Sequence, residues 1–355
     1  MSRLTQLRAL LADQGIDAFL ITNPTNRQYM TGFTGTAGAA LITNDDALLI
    51  TDFRYTDQAE KQTDHFQVIE HSGPIHKEAA SQVESLGIRK LGFEKNNLTY
   101  GQYEAYEKEL KTDFVPVGDF VEQLRVIKTD EELKIIQEAV DIVDAAFDHI
   151  QSYIRPGVRE IDVSNELEFF MRKQGAVSSS FDIIVASGYR SALPHGVASE
   201  KVIEKGELVT LDFGAYYKGY CSDMTRTLAV GEVSDELKKM YHTVLEAQKL
   251  AVSEIKAGMT GVEADAAARD YIADKGFGQY FGHGTGHGMG MEVHEAPRLS
   301  KQSEVTLKPG MVVTVEPGIY IAGKGGTRIE DDIVITEKGN HVMTKSSKEL
   351  IVLDS

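Results

Sequence analysis

Four acidic residues lie within or beside apolar, strand-like stretches in the second half of the chain, where a charge is costly. Asp212 occurs in "LVTLDFG" and Asp223 in "CSDMTRTL", while Glu316 occurs in "VVTVEPG" and Glu330 in "TRIEDDIVIT". An ionised carboxylate that leaves water loses several kcal/mol of hydration unless it is paired, protonated or bound to a metal. We therefore expect a cationic partner for this set of acids.

The four acids form two pairs with the same pattern. A glycine-containing turn separates Asp212 from Asp223, and a second one separates Glu316 from Glu330, which predicts two hairpins. Side chains alternate between the faces of a strand, so the two acids of a hairpin can meet across its ladder. Two divalent cations bridged by water would neutralise four carboxylates. The pattern predicts a dinuclear metal site, although solvent exposure or a salt bridge would explain any single acid.

Histidines suited to such a site occur in "GHGTGHGMGMEVHE", which contains His283, His287 and His294. His283 and His287 are four residues apart, as in helical zinc-binding pairs, but the alternating glycines disfavour a helix. We expect an extended or looped stretch in which the missing side chains let backbone and substrate approach closely. One imidazole is expected to bind metal and the others to act on substrate.

Two further residues are candidates on local pattern. His195 lies in "ALPHGVAS", where proline and glycine indicate a loop, and both a site residue and a surface histidine fit this context. Arg328 alternates onto the face of Glu330, from which it could fix a ligand carboxylate or contact the substrate. Cys221 shares its alternation with Asp223, but a small buried hydrophobic side chain is the favoured interpretation.

The elements that position these residues divide into two parts, and the first is an alternation of short helices and strands over residues 1–118. Strands are predicted at "DAFLIT", "AALIT", "ALLIT", "FQVIE" and "KLGFE", and helices around Tyr55–Lys61, Ile75–Leu86 and Tyr103–Leu110. The turn signal "NDD" between "AALIT" and "ALLIT" predicts a hairpin. This part is predicted to be an α/β domain.

The second part begins with a long helix. Thr129 followed by Glu132 forms a capping box, which predicts a helix from there to about Ile154. Strands broken by glycines follow, with further helices near Ile161–Lys173, Asp235–Ile255 and Val262–Lys275. We therefore predict an N-terminal domain over residues 1–126 and a catalytic domain over residues 127–355.

Composition excludes several classes of function. The chain has 355 residues, a formal net charge of -17 and one cysteine. The negative charge argues against nucleic acid and membrane surfaces as partners. The single cysteine excludes an internal disulfide framework and fits a reducing compartment. No apolar run approaches the length that spans a bilayer, so we expect a cytoplasmic protein.

The site segments carry a family resemblance. "LDFGAYYKGYCSDMTRT", "HGTGHGMGMEVHE", "VVTVEPGIY" and "TRIEDDIVIT" resemble the four site segments of the pita-bread metallopeptidases, in the branch of Xaa-Pro dipeptidase (prolidase) and aminopeptidase P. The resemblance extends over the whole chain. It implies an α/β, creatinase-like N-terminal domain, an α+β pita-bread (creatinase/aminopeptidase-like) catalytic domain, and a homodimer.

The resemblance also implies a ligand set for two divalent metal ions per chain. Asp223 and Glu330 would bridge the ions, Asp212 would chelate one, and His287 with Glu316 would complete the other. One imidazole among carboxylates is an oxygen-rich set that suits manganese first, with cobalt or zinc as alternatives.

The same resemblance assigns roles in hydrolysis of the Xaa-Pro bond of dipeptides or short peptides. A metal-bridging hydroxide would attack the carbonyl, and Glu316 would take the proton of that water. His195 and His294 resemble the histidines that stabilise the tetrahedral intermediate and assist the leaving nitrogen. His283 resembles the one lining the proline pocket, and Arg328 is a further substrate-contact candidate.

Other interpretations stay open at this stage. The enzyme could be an aminopeptidase P acting on longer Xaa-Pro peptides. Some pita-bread domains bind basic proteins without catalysis, and creatinase hydrolyses a carbon–nitrogen bond without metal, but the complete ligand set counts against both. Arg54, in "TDFRYTDQ", could read a substrate carboxylate or form a surface salt bridge, and we leave it outside the predicted site.

Overall fold

A computed structural model of the chain describes residues 1–354. These residues form two compact units that divide between Arg125 and Val126. Among the described residues, none of the helices combines the length and the apolar character that crossing a membrane requires.

The N-terminal unit is built on one six-stranded sheet. In chain order its elements are α1 (Arg3–Asp13), β1 (Ala18–Ile21), α2 (Pro24–Thr31), β2 (Ala39–Thr43), β3 (Ala47–Asp52), α3 (Thr56–Gln62), β4 (Gln67–His71), α4 (Ile75–Ser85), β5 (Lys90–Glu94), α5 (Tyr100–Glu109), β6 (Asp113–Val117) and α6 (Glu122–Arg125). The strand order is β4-β3-β2-β1-β5-β6. The β1–β2 and β2–β3 pairs are antiparallel, and the other three pairs are parallel.

Most of the predicted elements of this unit are present. The hairpin around "NDD" is confirmed, because β2 and β3 pair antiparallel across residues 44–46. The sequence analysis missed α2, whose start signal is nevertheless local. Asn23 accepts from the amides of Thr25 and Asn26, and Pro24 occupies the first turn. It also missed β6, which completes one edge of the sheet.

The C-terminal unit contains four long helices and the remaining strands. Its elements are α7 (Asp130–Ile150), α8 (Glu160–Lys173), β7 (Ser178–Ser179), β8 (Ile184–Ser187), β9 (Glu207–Phe213), β10 (Ala215–Tyr217), β11 (Tyr220–Cys221), β12 (Met224–Val230), α9 (Asp235–Glu254), α10 (Gly261–Asp274), β13 (Gly286–Gly288), β14 (Glu295–Leu299), β15 (Val312–Val315), β16 (Gly318–Ile321), β17 (Gly325–Arg328), β18 (Asp331–Thr336), β19 (Gly339–Val342) and β20 (Val352–Leu353). Short 3-10 helices span Gly188–Ala192 and Gly278–Tyr280. The predicted capping box is present, since Thr129 and Glu132 exchange side-chain and backbone hydrogen bonds.

Two larger sheets organise this unit, in the orders β20-β12-β9-β8 and β14-β13-β15-β18-β19. Smaller sheets join β11-β10-β7 and β16-β17. One apolar core lies between α7, α8 and the first sheet, and another joins α9 and α10 to the second sheet. Each sheet therefore has one face covered by a pair of helices, and its other face is available for polar side chains.

Strand alternation decides which residues leave the cores. On β9, Val209, Leu211 and Phe213 pack into the core with α7 and α8, so Asp212 points from the opposite face. On β15, Val313 and Val315 pack into the other core, which places Thr314 on the opposite face. Burial of the odd-numbered apolar residues thus positions the polar ones that build the site.

Candidate metal centre

The first pair of acids lies on adjacent antiparallel strands. Asp212 on β9 is directly opposite Thr225 on β12, and Asp223 lies two residues before Thr225, which places it diagonally on the same face. Asp212 and Asp223 are 8% and 5% exposed. The predicted meeting of two carboxylates across this ladder therefore arises from a shared face and a diagonal register.

The second pair of acids flanks the β15–β18 ladder. Glu316 follows the end of β15, where Pro317 interrupts the strand, and Glu330 precedes β18. The Glu330 amide donates to the carbonyl of Thr225 at 3.1 Å, and the Thr225 hydroxyl donates to Glu330 Oε2 at 2.6 Å. Thr225 thus joins the two hairpins and brings Glu330 to the first pair of acids.

His287 reaches the acids from the glycine-rich segment, which is extended or looped, as predicted, and forms the short strand β13 at Gly286–Gly288. A Cβ atom at Gly286 would lie 1.9 Å from the Thr314 carbonyl oxygen, and one at Gly288 would lie 2.1 Å from that of Ala296. Only glycine therefore permits these close approaches on either side of the histidine. His287 Nε2 lies 3.3 Å from Glu316 Oε1. It lies 3.7 Å from Asp223 Oδ2.

The electrostatics of this cluster fit bound cations. Three buried carboxylate oxygens, Asp212 Oδ1, Asp223 Oδ1 and Glu330 Oε1, have no hydrogen-bond partner among the described residues. Burial and then repulsion from neighbouring carboxyls raise the pKa values of Asp223 and Glu330 well above the ordinary range. One ligand atom from each of Asp223, His287 and Glu330 lies within 4.8 Å of the others. Unpartnered, converging oxygens with one imidazole are the donor set that divalent cations take.

Burial also shifts the pKa values of two other predicted ligands, His287 and Glu316. Burial lowers the pKa of His287 to about 3, which keeps the imidazole in its neutral, metal-binding form. Burial raises the pKa of Glu316 to about 7, although Arg328 acts in the opposite direction. Glu316 also accepts from the Thr314 hydroxyl at 3.2 Å, and its amide donates to the Thr285 carbonyl at 2.7 Å.

Arg328 organises one side of the site. Its guanidinium donates to Asp212 Oδ2 at 2.5 Å and to the Thr225 hydroxyl at 3.0 Å. It also donates to the Tyr320 hydroxyl at 2.7 Å and to the Pro194 carbonyl at 3.1 Å. These four contacts use the planar fork of arginine, which a lysine could not reproduce.

His283 belongs to the same network. Its Nε2 lies 2.9 Å from the Tyr320 hydroxyl and its Nδ1 lies 2.7 Å from the Gly284 carbonyl oxygen. Burial, with repulsion from Arg328, lowers the pKa of His283 to about 4. A neutral imidazole held by two hydrogen bonds provides a fixed wall beside the acids.

A cavity of about 600 Å³ opens onto the cluster. All nine residues predicted from the sequence line it, namely Asp212, Asp223, His287, Glu316, Glu330, His195, His283, His294 and Arg328. His195 and His294 are exposed to the cavity, and the His294 ring centroid lies 4.4 Å from that of His287. The structure therefore brings every predicted site residue to one place.

Sequence reasoning missed two other residues, one behind the cavity wall and one lining the cavity. Tyr320 bridges Arg328 and His283, and the only signal for it is its place on β16 opposite the glycines of β17. Arg298 lines the cavity, is exposed, and forms no ion pair within residues 1–354. No local pattern marks either residue, because a strand tyrosine and an exposed arginine are both ordinary.

A buried ion pair between Arg226 and Asp331 holds the backbone of Glu330 in place. Arg226, 1% exposed, donates to the Glu330 carbonyl, to Asp331 Oδ1 at 2.8 Å and to the Ser346 carbonyl at 2.8 Å. Lys348 Nζ approaches Asp331 Oδ2 at 2.5 Å. The segment near the C-terminus is thereby tied to the strand that follows Glu330.

Two residues left outside the predicted site have other surroundings. Cys221 is buried, its thiol lies 3.7 Å from the Met291 carbonyl, and burial raises its pKa to about 12. The interpretation as a small buried side chain is confirmed. Arg54, in the N-terminal unit, is exposed and pairs with Asp52 at 2.7 Å.

Comparison with known proteins decides the family. Residues 134–337, more than half of the chain, match the metallopeptidase family M24. The chain belongs to the metallopeptidase family M24. Residues 3–127 match the Creatinase/Prolidase N-terminal domain. The predicted family, the pita-bread fold class and the assignment as a metallopeptidase are confirmed, and membership of M24 implies divalent metal ions.

Relatives of this M24 chain cover its full length. A peptidase of Bacillus subtilis (strain 168) is 62% identical over 99% of this chain and 100% of that protein. The solved structure of an Xaa-Pro dipeptidase from Bacillus anthracis is 63% identical, covers 99% of both chains, and has a TM-score of 0.98. The X-Pro aminopeptidase from Thermotoga maritima MSB8 is 42% identical over 95% of this chain and 98% of that chain, with a TM-score of 0.91.

Proposed function

We propose that this M24 metallopeptidase hydrolyses the bond between an N-terminal residue and a following proline, in dipeptides and short peptides. The observation that carries the proposal is the set of three unpartnered, buried carboxylate oxygens at the base of a cavity that histidines and Arg298 line. The similar structure from Bacillus anthracis is that of an Xaa-Pro dipeptidase, which supports this choice of substrate.

Two divalent ions are proposed to be held by five side chains, namely Asp212, Asp223, His287, Glu316 and Glu330. When bound, such ions polarise the scissile carbonyl and lower the pKa of water at the site. We propose manganese as the resident metal because carboxylate oxygens dominate the donor set, with cobalt and zinc as the alternatives.

The chain's own residues are proposed to manage protons and developing charge. Glu316, whose carboxyl has a pKa near 7, would take the proton of the attacking water. His294 and His195, both exposed to the cavity, would donate hydrogen bonds to the tetrahedral intermediate and a proton to the leaving nitrogen. Arg328 would keep Asp212 oriented throughout the cycle.

Proline recognition is proposed to rest on shape. An Xaa-Pro bond is a tertiary amide without an N–H, so a peptidase that relies on binding that donor recognises it poorly. The partly buried His283, which Tyr320 holds by a hydrogen bond, lines the cavity and provides a fixed wall against which a pyrrolidine ring can pack. Apolar side chains, including Ile184 and Val293, line the same cavity and would exclude water from the ring.

Arg298 favours a dipeptide. The product proline of a dipeptide carries a free carboxylate, and a guanidinium can bind a carboxylate with two hydrogen bonds. Arg298 lines the cavity and has no ion-pair partner within residues 1–354, so it is proposed to bind this carboxylate. A longer peptide has an amide at that point, which gives the arginine a weaker partner.

The second candidate is an aminopeptidase P that prefers longer peptides. The X-Pro aminopeptidase from Thermotoga maritima MSB8, at 42% identity, supports it. We place it second because the more similar solved structure is that of a dipeptidase. A homodimer and a cytoplasmic location remain predictions, which sedimentation analysis and cell fractionation would test.

The test of the proposed function combines metal analysis with turnover. Chelated protein should not hydrolyse Ala-Pro, and added manganese should restore hydrolysis with two ions bound per chain. The Asp212→Asn variant, which removes one proposed ligand charge with little change of shape, should bind less metal and hydrolyse Ala-Pro more slowly than the wild type. Full Ala-Pro hydrolysis by the chelated protein would contradict the proposal.

A further inference from the structure

The loop that carries His195 is anchored at both ends to one buried acid. Glu160, at the start of α8, is 0% exposed. Its Oε1 accepts from the amide and hydroxyl of Ser187, at 2.7 and 2.9 Å. Its Oε2 accepts from the amide and hydroxyl of Ser199, at 3.2 and 2.7 Å. Ser187 and Ser199 enclose the segment 188–198, which contains His195 at the cavity.

Arg190 adds a second brace within this segment. Its guanidinium donates to Glu160 Oε2 and, at 2.9 Å, to the carbonyl oxygen of Val197. The arginine therefore spans the loop from its 3-10 turn to Val197, two residues beyond His195. With this contact the Glu160 carboxylate accepts five hydrogen bonds, and all five come from the loop or its two ends.

The anchor itself is rigid. Glu160 is the first residue of a 14-residue helix, where a carboxylate is favoured by the helix dipole. Val163, Leu167 and Met171 of the same helix are fully buried in the core against the first sheet. A loop that is hydrogen-bonded to Glu160 is therefore held in a fixed position relative to this helix.

The loop contacts the surroundings of the proposed metal centre through one backbone carbonyl and one side-chain hydroxyl. The Pro194 carbonyl accepts from Arg328, which also holds Asp212. The Ser191 hydroxyl accepts from the Gly326 amide at 2.8 Å. The His195 side chain is exposed, so its direction into the cavity depends on where the backbone of the loop lies.

We propose that Glu160 is a positioning residue that acts through His195. Together with Arg190, Glu160 fixes the loop so that the imidazole of His195 lies at the cavity. This inference rests on the proposed role of His195 in hydrolysis. Loss of the five hydrogen bonds would let the loop relax, and displacement of a reacting group by about 1 Å can cost on the order of 100-fold in rate. Neither residue contacts the acids of the proposed metal site directly, so metal binding should be retained.

A double-mutant cycle tests this proposal. Glu160→Gln keeps the shape of the side chain but loses its charge and one acceptor oxygen, and we expect kcat for Ala-Pro to fall roughly 10- to 100-fold. Metal content per chain should stay at the wild-type value. In a His195→Ala background, the same change should lower kcat by less than about 2-fold, because the group it positions is gone.

Controls separate the possible failures. Glu166→Gln changes an acid on the same helix that pairs with His149 instead, and its kcat should stay at the wild-type value. Equal effects of Glu160→Gln in both backgrounds would overturn the positioning role alone. A His195→Ala enzyme with wild-type kcat would overturn the proposed function of His195, and this inference with it. If Glu160→Gln does not fold, Arg190→Lys in the same cycle gives the same test.

Discussion

Arg328 donates to one carboxylate oxygen of Asp212 at 2.5 Å, while the other oxygen of Asp212 is buried without a hydrogen-bond partner among residues 1–354. The ion pair therefore fixes the orientation of Asp212 and leaves one oxygen directed at the cluster. A single guanidinium cannot balance four acids in a buried site. Arg328 is best understood as the group that orients Asp212, a proposed metal ligand.

Replacement of Arg328 by lysine should lower kcat/KM for Ala-Pro by about 10- to 100-fold, with both metal ions retained. An ammonium group cannot contact Asp212, Tyr320 and the Pro194 carbonyl in one plane. Steady-state kinetics and elemental analysis measure the two effects. Arg172→Lys, at an exposed ion pair on α8, is the matched control. Unchanged kinetics for Arg328→Lys would show that the fork geometry is not used.

Removal of metal should destabilise the wild-type protein. Burial, and then repulsion among the carboxyls, raises the pKa values of Asp223 and Glu330, and bound cations would relieve the repulsion. A ligand present at 100 times its Kd stabilises a fold by about 2.7 kcal/mol, so chelation should lower the Tm clearly. Asp223→Asn should lose metal and activity, and its Tm should respond little to chelator. An Asp223→Asn variant with full metal content and activity would refute the site.

The sequence predicts the acids of this site well because each contradicts its surroundings. Asp212 stands within an apolar strand and Glu330 directly before another, and alternation along β9 puts Asp212 on the face away from the core. The glycines beside His287 likewise indicate that another segment of backbone approaches the chain closely there. Tyr320 and Arg298 give no such contradiction, because a tyrosine on a strand and an exposed arginine are both ordinary. Tyr320 acquires its role from side-chain contacts with His283 and Arg328, which local pattern does not encode.

Glu160 illustrates the same limit in another form. An acid in the first turn of a helix is ordinary, and the sequence offers no sign that this one is completely buried. Its partners, Ser187 and Ser199, lie 27 and 39 residues away along the chain. The hydrogen bonds between Glu160 and this loop can therefore be recognised only in the folded structure.

His294→Ala should retain both metal ions and lose most of its turnover. The imidazole is exposed to the cavity, and its proposed role is to stabilise charge that develops in the transition state. Loss of one such donor costs on the order of 100- to 1,000-fold in kcat. Elemental analysis beside kinetics distinguishes this role from metal binding, because a ligand variant would lose metal as well.

Arg226→Met should lower the free energy of unfolding, although Arg226 does not line the cavity. Asp331 would remain fully buried with Lys348 as its remaining cation, and breaking a buried pair costs about 3–5 kcal/mol. Thermal unfolding of chelated protein measures the loss apart from metal binding. The double variant Arg226→Met with Asp331→Leu should recover part of the stability, since the buried carboxylate that lost its arginine partner is then removed as well. A Tm equal to the wild-type value for Arg226→Met would contradict this account.

Substrate length is expected to depend on Arg298. Wild-type protein with manganese should cleave Ala-Pro faster than Ala-Pro-Ala, and Ala-Ala poorly. Arg298→Ala should raise KM for Ala-Pro by roughly 10-fold or more, the loss of a charge-assisted pair, and change Ala-Pro-Ala much less. Arg298→Lys, which keeps the charge, should recover part of the affinity. Faster cleavage of the tripeptide by the wild type would favour the aminopeptidase P alternative, and a preference for Ala-Ala would refute proline specificity.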